Sequence, residues 1–381
     1  LNRTHTESAM KIADLEIRKL EIPFKVSFKH ASAERSATES ILVAAASDGG
    51  QTGYGEGCPR SYVTDESIDS AIAFFEKYKS SIQVLENLEG IRRWIAEHKG
   101  AIDINPAAWC AIELALLDLL GKEQERSVEE LLSLPLLKGE FHYTAVLGAC
   151  DYEAFMKQLQ QYVHIGFSDF KVKISGKLEE DIEKIQALKK LDNKEARIRL
   201  DANNLWETST EAIAYLKKLD TDFFAVEEPV KANRYDILHT IAQALNTKII
   251  LDESFLRKEQ FEHIQDRPGT WIVNIRISKM GGIMRSLDIA QEAQRLNIPV
   301  IIGAQVGETS ILTRSALTVA NTHCDILLAQ EGAFGTYLLK RDITETPLVF
   351  GRGGALSVQH LAEKPGLGLT CNLKHIRNLY G

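Results

Sequence analysis

The sequence predicts an α/β protein, a (β/α)8 TIM-type barrel preceded by an N-terminal α+β capping domain. From about residue 140, strand-like runs alternate with amphipathic helical stretches, and such alternation forces a parallel sheet. Eight strands fit into about 190 residues, the strand count of a closed barrel. The Gly-rich phosphate turn of an open dinucleotide-binding sheet, G-x-G-x-x-G after a first strand, is absent.

The elements follow in chain order. Residues 12–22 carry alternating apolar positions, residues 40–46 read as a buried strand, and Asp48-Gly49-Gly50 is a turn signal before a return strand at 52–56. Residues 64–134 read as helical. The run AAWCAIELALLDLL at 107–120 is apolar on more than one face, as in a helix packed at an interface, and Pro106 suits its first turn. Barrel strands are expected at 142–148, 169–175, 197–203, 223–230, 248–254, 271–279, 299–306 and 326–331. Helical stretches follow the first seven, for example at 179–190, 211–219, 285–296 and 310–320. The Gly-rich tail beyond Thr346 is expected to return to the cap. The resulting division is a cap at 10–137, a barrel at 138–346 and a tail at 347–381. Residues 1–9 are polar, lack the apolar stretch of a secretory signal and are set aside, with Met10 a candidate start.

Composition narrows the function. The chain has 381 residues, 44% hydrophobic and 26% charged, which is ordinary globular usage. Its net charge of −8 gives no footprint for nucleic acid and no polybasic signal for a membrane surface. No apolar stretch approaches the roughly 18–20 residues of a membrane span. Five scattered cysteines with no C-x-x-C pair fit a reduced, cytoplasmic setting rather than a disulfide framework or zinc ribbon.

The chemistry-bearing residues stand at strand ends. Asp201, Glu227 and Asp252 end three successive strands, 26 and 25 residues apart, or one βα unit each. Strand alternation puts Asp201 on one face with Arg199 and Asn203, with Leu200 and Ile198 opposite, which turns the acids inward. Three carboxylates converging at a barrel mouth need a cation, and all-oxygen ligation with room for water suits Mg2+. Lys171 and Lys173 share a face one unit earlier. Neighbouring ammoniums and partial desolvation would depress their pKa values and make one a general base. Arg276 and Asn274 share the inward parity of the next strand. Glu308 follows the seventh strand, where it is either a site acid or a helix N-terminal acid, and Gln330 and Glu331 end the eighth.

The motifs KVK, LDAN, EEP, LDES, KMGG and GETS, in this order and spacing, resemble the enolase superfamily in its muconate-lactonizing subgroup, across nearly the whole chain. That subgroup includes muconate cycloisomerases, dipeptide epimerases, N-acylamino acid racemases and o-succinylbenzoate synthases. The resemblance implies Mg2+ held by Asp201, Glu227 and Asp252, with Glu228 behind them and Asn203 lining the metal site. It makes Lys173 the base, Lys171 its companion on the substrate carboxylate, and Glu308 an acid near the substrate. The implied reaction removes the proton α to the carboxylate of a small-molecule substrate. The metal-stabilised enolate is then isomerised by an epimerase, racemase or cycloisomerase step. Loops at 24–35 and 57–64 correspond to lids, from which His30, Arg60 and Tyr62 would reach the substrate's distal end.

Two departures stand out. The family's second catalytic lysine falls at Arg276, with Lys279 three residues later in the KMGG turn. The Asp-x-Asp pair with which dipeptide epimerases hold an ammonium is replaced by LAQEGAFG, where Glu331 is the single acid. A guanidinium is a poor proton shuttle and a good clamp, so Arg276 favours a one-base reaction such as β-elimination as the alternative. A binding protein on a decayed barrel and a Schiff-base aldolase are further readings. The intact acid row and lysine pair speak against both. A homo-oligomer is expected.

Overall fold

The computed structural model describes residues 10–30, 33–148, 150–191 and 196–372, with the side chains of residues 26–35 excepted. The N-terminal unit is built on an antiparallel sheet in which strand Ser40–Ser47 lies between Ile12–Leu20 and Thr52–Gly57. A hairpin, Pro23–His30 with Ala33–Ala37, projects from it. Helices Ile68–Gln83 and Leu88–Glu97 lead to Pro106–Gln124. Pro106 occupies that helix's first turn, and Glu66 accepts from Ala107 N at 3.0 Å and Ala108 N at 3.2 Å, satisfying N–H groups that have no partner within the helix.

The reason for the apolar girth of Pro106–Gln124 is visible in the strand beneath it. Gly53, Gly55 and Gly57 alternate along Thr52–Gly57, and a Cβ on each would stand 2.1, 2.0 and 2.0 Å from the carbonyls of Ala115, Ala111 and Ala107. Strand and helix backbones therefore touch directly. Of the helix's remaining side chains, Cys110, Leu114 and Leu117 join the barrel's core, while Trp109, Ile112 and Leu116 fill the cap's own core, where Trp109 stacks on Trp94 at 4.2 Å.

Eight parallel strands form the second sheet in sequential order: Ala145–Leu147, Asp169–Lys173, Arg197–Asp201, Ala225–Glu227, Lys248–Leu251, Trp271–Ile275, Val300–Ile302 and Leu327–Gln330. Thr144 N donates to Gln330 O at 2.7 Å, joining first to eighth. Ala225, Ile250, Ile272 and Ile301 form an apolar plug inside the barrel. The layer above it, on the same strand faces, carries Asp201, Glu227 and Asp252. Among the described residues no helix is long and apolar enough to cross a membrane.

Several expected elements are shorter than the sequence pattern. The strand expected at 271–279 ends at Ile275, and Ile277–Met280 is a helical turn closed by Gly281 at φ 85°. The helix expected after the fifth strand is replaced by 3-10 turns at Lys258–His263 and Pro268–Thr270. There the Gln260 side chain takes up the N–H groups of Leu256 and Arg257, and Pro268 and Gly269 break the remainder. In the tail, Gly366 N donates to Arg126 O, Val128 N to Gly366 O and Leu367 N to the Asp118 carboxylate, all on the N-terminal unit.

Cap and barrel meet through buried acids. Glu56 accepts from Thr309 N and Oγ1, Glu113 from Met284 N at 3.1 Å, and Glu129 forms a buried pair with Arg314 at 2.8 Å. The first two sit at the N-termini of barrel helices Ser310–Thr322 and Ile283–Arg295.

Candidate active site

At the mouth, each inward-facing acid of the row lies against a lysine or arginine. Lys171 Nζ lies 3.2 Å from Asp201, 2.7 Å from Glu227 and 3.3 Å from Glu331. Lys173 Nζ donates to Asp201 at 3.0 Å and to Asn203 Oδ1 at 2.9 Å. Arg276 pairs closely with Asp252, lies 3.8 Å from Glu227, and donates to Gln305 Oε1 at 3.1 Å. Lys173 thus stands at the Asp201 end of the acid row and Arg276 at the Asp252 end, with Glu227 between.

The backbone strains to hold this row. Asn203, Asn204 and Glu228 adopt φ values of 45°, 60° and 39° just beyond the third and fourth strands. Asparagine tolerates that region, whereas a glutamate there costs on the order of 1–3 kcal/mol. Glu228 is fixed by Asp252 N and Ser254 N, each at 2.7 Å, and by Ser254 Oγ at 2.8 Å. It is the bracket between the fourth and fifth strands, set behind Glu227.

Burial and charge act differently on each group. Burial opposes the charge on Lys171, but Asp201, Glu227 and Glu331 outweigh it and hold its pKa above the ordinary lysine value. This corrects the expectation of a depressed value, because carboxylates rather than a second ammonium dominate its surroundings. Burial pushes Glu227 up to about 7 even against Lys171. Asp201 is held low, since Lys171 and Lys173 overcome its desolvation. Burial likewise raises Glu308 to about 7.

Above the acids lies a cavity of about 460 Å3. Its inner end is formed by Lys171, Lys173, Glu253, Arg276, Glu308 and Glu331, and Tyr62 reaches it from the cap. Its outer wall, which sequence reasoning did not foresee, is largely apolar and includes Tyr162, Phe334, Tyr337, Leu338 and Phe350. Tyr337 stacks on Phe350 with centroids 4.9 Å apart. These residues come from Tyr152–Ile165 and from the segments after the eighth strand, too far apart in sequence to read as one wall.

Other expected site residues turn elsewhere. Arg60, expected at the distal end of a substrate, is 1% exposed and donates to the carbonyls of Glu39, Pro59 and Val306. Gln330 is buried and donates to Tyr143 Oη at 3.0 Å instead of lining the cavity. Glu331 does line it, but is tied to Arg199 at 2.8 Å and to Lys171. Lys279 is buried against Asp252 and the Asn274 carbonyl, away from the cavity lining. His30 lies on Pro23–His30, and its side chain is outside the described residues.

The donor set fits a hard dication. Asp201, Glu227 and Asp252 are each 1% exposed and offer oxygen, and the neighbouring Glu253 Oε2 is buried without a hydrogen-bond partner. Among the described residues no three acids are drawn together as a finished ligand set. Lys171 bridges Asp201 to Glu227, and Arg276 reaches from Glu227 to Asp252.

Barrel, cap and mouth chemistry together define an enzyme of the enolase superfamily. Residues 11–133 match the mandelate racemase/muconate lactonizing enzyme N-terminal domain, and residues 154–375 match the enolase C-terminal domain-like family. The chain belongs to this family as an isomerase. A hydrophobic dipeptide epimerase of Enterococcus faecalis is 27% identical, covering 95% of this chain and 100% of the relative. An N-succinyl-L-Arg/Lys racemase of Bacillus cereus is 26% identical, covering 97% and 98%. The crystal structure of the Bacillus cereus racemase superposes with a TM-score of 0.87 at 25% identity, covering 97% and 98% of the two chains. That of the Enterococcus faecalis dipeptide epimerase, complexed with Mg and the dipeptide L-Leu-L-Tyr, gives 0.83 at 26%, covering 95% and 100%.

Proposed function

We propose that the protein removes the proton α to a carboxylate in a small-molecule substrate at a Mg2+ centre and isomerises that carbon, as an epimerase or racemase does. The observation that carries this reading is the placement of Lys173 and Arg276 at opposite ends of the acid row, both facing one cavity. Asp201, Glu227 and Asp252 would hold the metal, which supplies positive charge to the substrate carboxylate. Lys173 takes the α-proton at its Nζ. Lys171, lining the cavity beside it, binds the carboxylate and offsets the charge that develops. Glu308, whose pKa burial raises to about 7, accepts from Gln305 N, and its protonated form offers an O–H to the cavity it lines.

The outer wall, apolar but for Lys157, Gln158 and Gln161 of the Tyr152–Ile165 helix, fits a largely apolar group. The acids that line the cavity, Glu253, Glu308 and Glu331, all stand at its inner end, away from any distal ammonium. Amino acids acylated at nitrogen suit that space better than a dipeptide, whose ammonium would meet no carboxylate at the outer wall. The five free cysteines suit a cytoplasmic setting.

Arg276 supports a second reading, in which the proton moves on one face alone, as in a β-elimination or cycloisomerisation. Its guanidinium clamps charge but returns a proton poorly. The test is α-proton exchange in D2O with Mg2+, run on both enantiomers of N-acylamino acids and dipeptides. Exchange of both enantiomers, abolished by chelation, supports the epimerase. Exchange of one, becoming two-sided in Arg276→Lys, supports the one-face reaction. No Mg2+-dependent exchange on any member overturns both.

A further inference from the structure

We infer that Arg60, a cap residue outside the cavity, is a positioning residue that sets the reacting end of Arg276 through the loop after the seventh barrel strand. The inference rests on the proposed reaction at this site and deepens it.

Residues 304–309 carry two side chains of the site. Gln305 accepts from Arg276 Nη1 at 3.1 Å, and its own N–H donates to the Glu308 carboxylate at 2.6 Å. The loop's tethers outside the barrel lead to the cap. Arg60 Nη2 donates to the Val306 carbonyl at 2.8 Å, while its Nη1 holds the cap carbonyls of Glu39 and Pro59, both at 2.7 Å. Thr309 donates to Glu56 from N and Oγ1. Gly307, at φ 91°, turns against Phe24, whose ring would stand 3.0 Å from an added Cβ. Cys58 N donates to Ser278 Oγ at 2.8 Å, two residues beyond Arg276. Cap segment 56–60 thus grips the chain on both sides of the Gln305–Arg276 pair.

The chemistry of Arg60 suits this task. One planar guanidinium reaches three carbonyls in two domains, which a lysine's single ammonium does not reproduce. The carbonyl it holds follows Gln305 directly, so a shift of Val306 carries Gln305 and the guanidinium leaning on it. A displacement of about 1 Å at a reacting group costs ~100-fold in rate. Tyr62, two residues after Arg60, lines the cavity, so the clasp that fixes the cap over the substrate also fixes the reacting groups.

The test joins two readouts on wild type, Arg60→Met and Arg60→Lys. Backbone hydrogen–deuterium exchange across 303–309 is measured on the substrate-free protein, and kcat and KM are measured for α-proton exchange. The expected result for Arg60→Met is faster amide exchange confined to that loop and the neighbouring cap segment. Its kcat falls ~100-fold with KM changed far less, and Arg60→Lys recovers part of both. Combined with Arg276→Met, the loss in kcat is smaller than the product of the two single losses, because both act through one group. Unchanged loop exchange in Arg60→Met overturns the inference whatever the activity, and so does a loosened loop with wild-type kcat. If Arg60→Met does not fold, Arg60→Lys decides by the same two criteria. Absence of α-proton exchange in the wild type overturns the proposed reaction instead, and the substrate-free loop measurement tells the two failures apart.

Discussion

At the barrel mouth, Asp201, Glu227 and Asp252 each lie beside a lysine or arginine, whereas along the cap Glu56, Glu66 and Glu113 are held by N–H and O–H donors at helix N-termini. Both sets are buried, so both lose hydration. The mouth recovers it with mobile charge, in side chains that can exchange one partner for another. The cap recovers it with fixed dipoles that cannot move. The first solution suits a site where charge must come and go. The second suits a joint, and it leaves the acids half-inclined to stay protonated: burial raises Glu56 to about 8, and Glu66 and Glu113 to about 7.

The sharpest way to break this contrast is at the mouth. Lys173→Ala should lower α-proton exchange by about 10²–10⁴-fold, the usual worth of a general base. Its melting temperature should stay near wild type, because Lys173 bonds to exchangeable mouth partners and not to a helix end. A large loss of stability with retained exchange would place Lys173 in the joint and not the chemistry.

Arg314→Met probes the joint where it does use an ion pair. It strands Glu129, 1% exposed, with Thr318 Oγ1 as a remaining donor. The expected cost is about 3–5 kcal/mol in denaturant unfolding, with kcat of the folded fraction unchanged. A cost under 1 kcal/mol would mean that the seam admits water.

The last expected effect is on pH dependence. For Glu56, Glu66 and Glu113 the folded pKa lies above the ordinary value of 4.5. Their contribution is therefore complete below about pH 4.5 and is lost as pH rises through 7 to 8, each unit of displacement linking to about 1.4 kcal/mol. Thermal melts should fall from pH 6 to 9, and Glu56→Gln, which cannot ionise, should show a shallower fall. An equal slope in the variant would show that Glu56 stays ionised against Thr309.

The same contrast marks what could be read in advance. Asp201, Glu227 and Asp252 were legible because a strand has period two and a βα unit near-constant length, so face and height follow from spacing. The apolar girth of 107–120 pointed to a helix packed at an interface, whereas the alternating glycines of GYGEG went unread, since their role appears only once the helix lies on that strand. Arg60 was misread because its side chain is long enough to serve a substrate or a carbonyl, and spacing does not say which. The pKa of Lys171 was misjudged because three carboxylates, Asp201, Glu227 and, from the far end of the barrel sequence, Glu331, outweigh its neighbouring ammonium and its burial. The outer wall was missed because its aromatics belong to two connections that meet only once the first and eighth strands join.

Tail residues 366 and 367 bond to positions 118, 126 and 128, on and just beyond the long buried helix. Assembly order follows from that. During synthesis the N-terminal unit leaves the ribosome first, yet its apolar helix lacks its last partners until some 240 further residues have been made. The two lobes cannot mature one after the other like beads on a string. The unit that covers the mouth is completed last, which leaves apolar surface exposed on an unfinished chain.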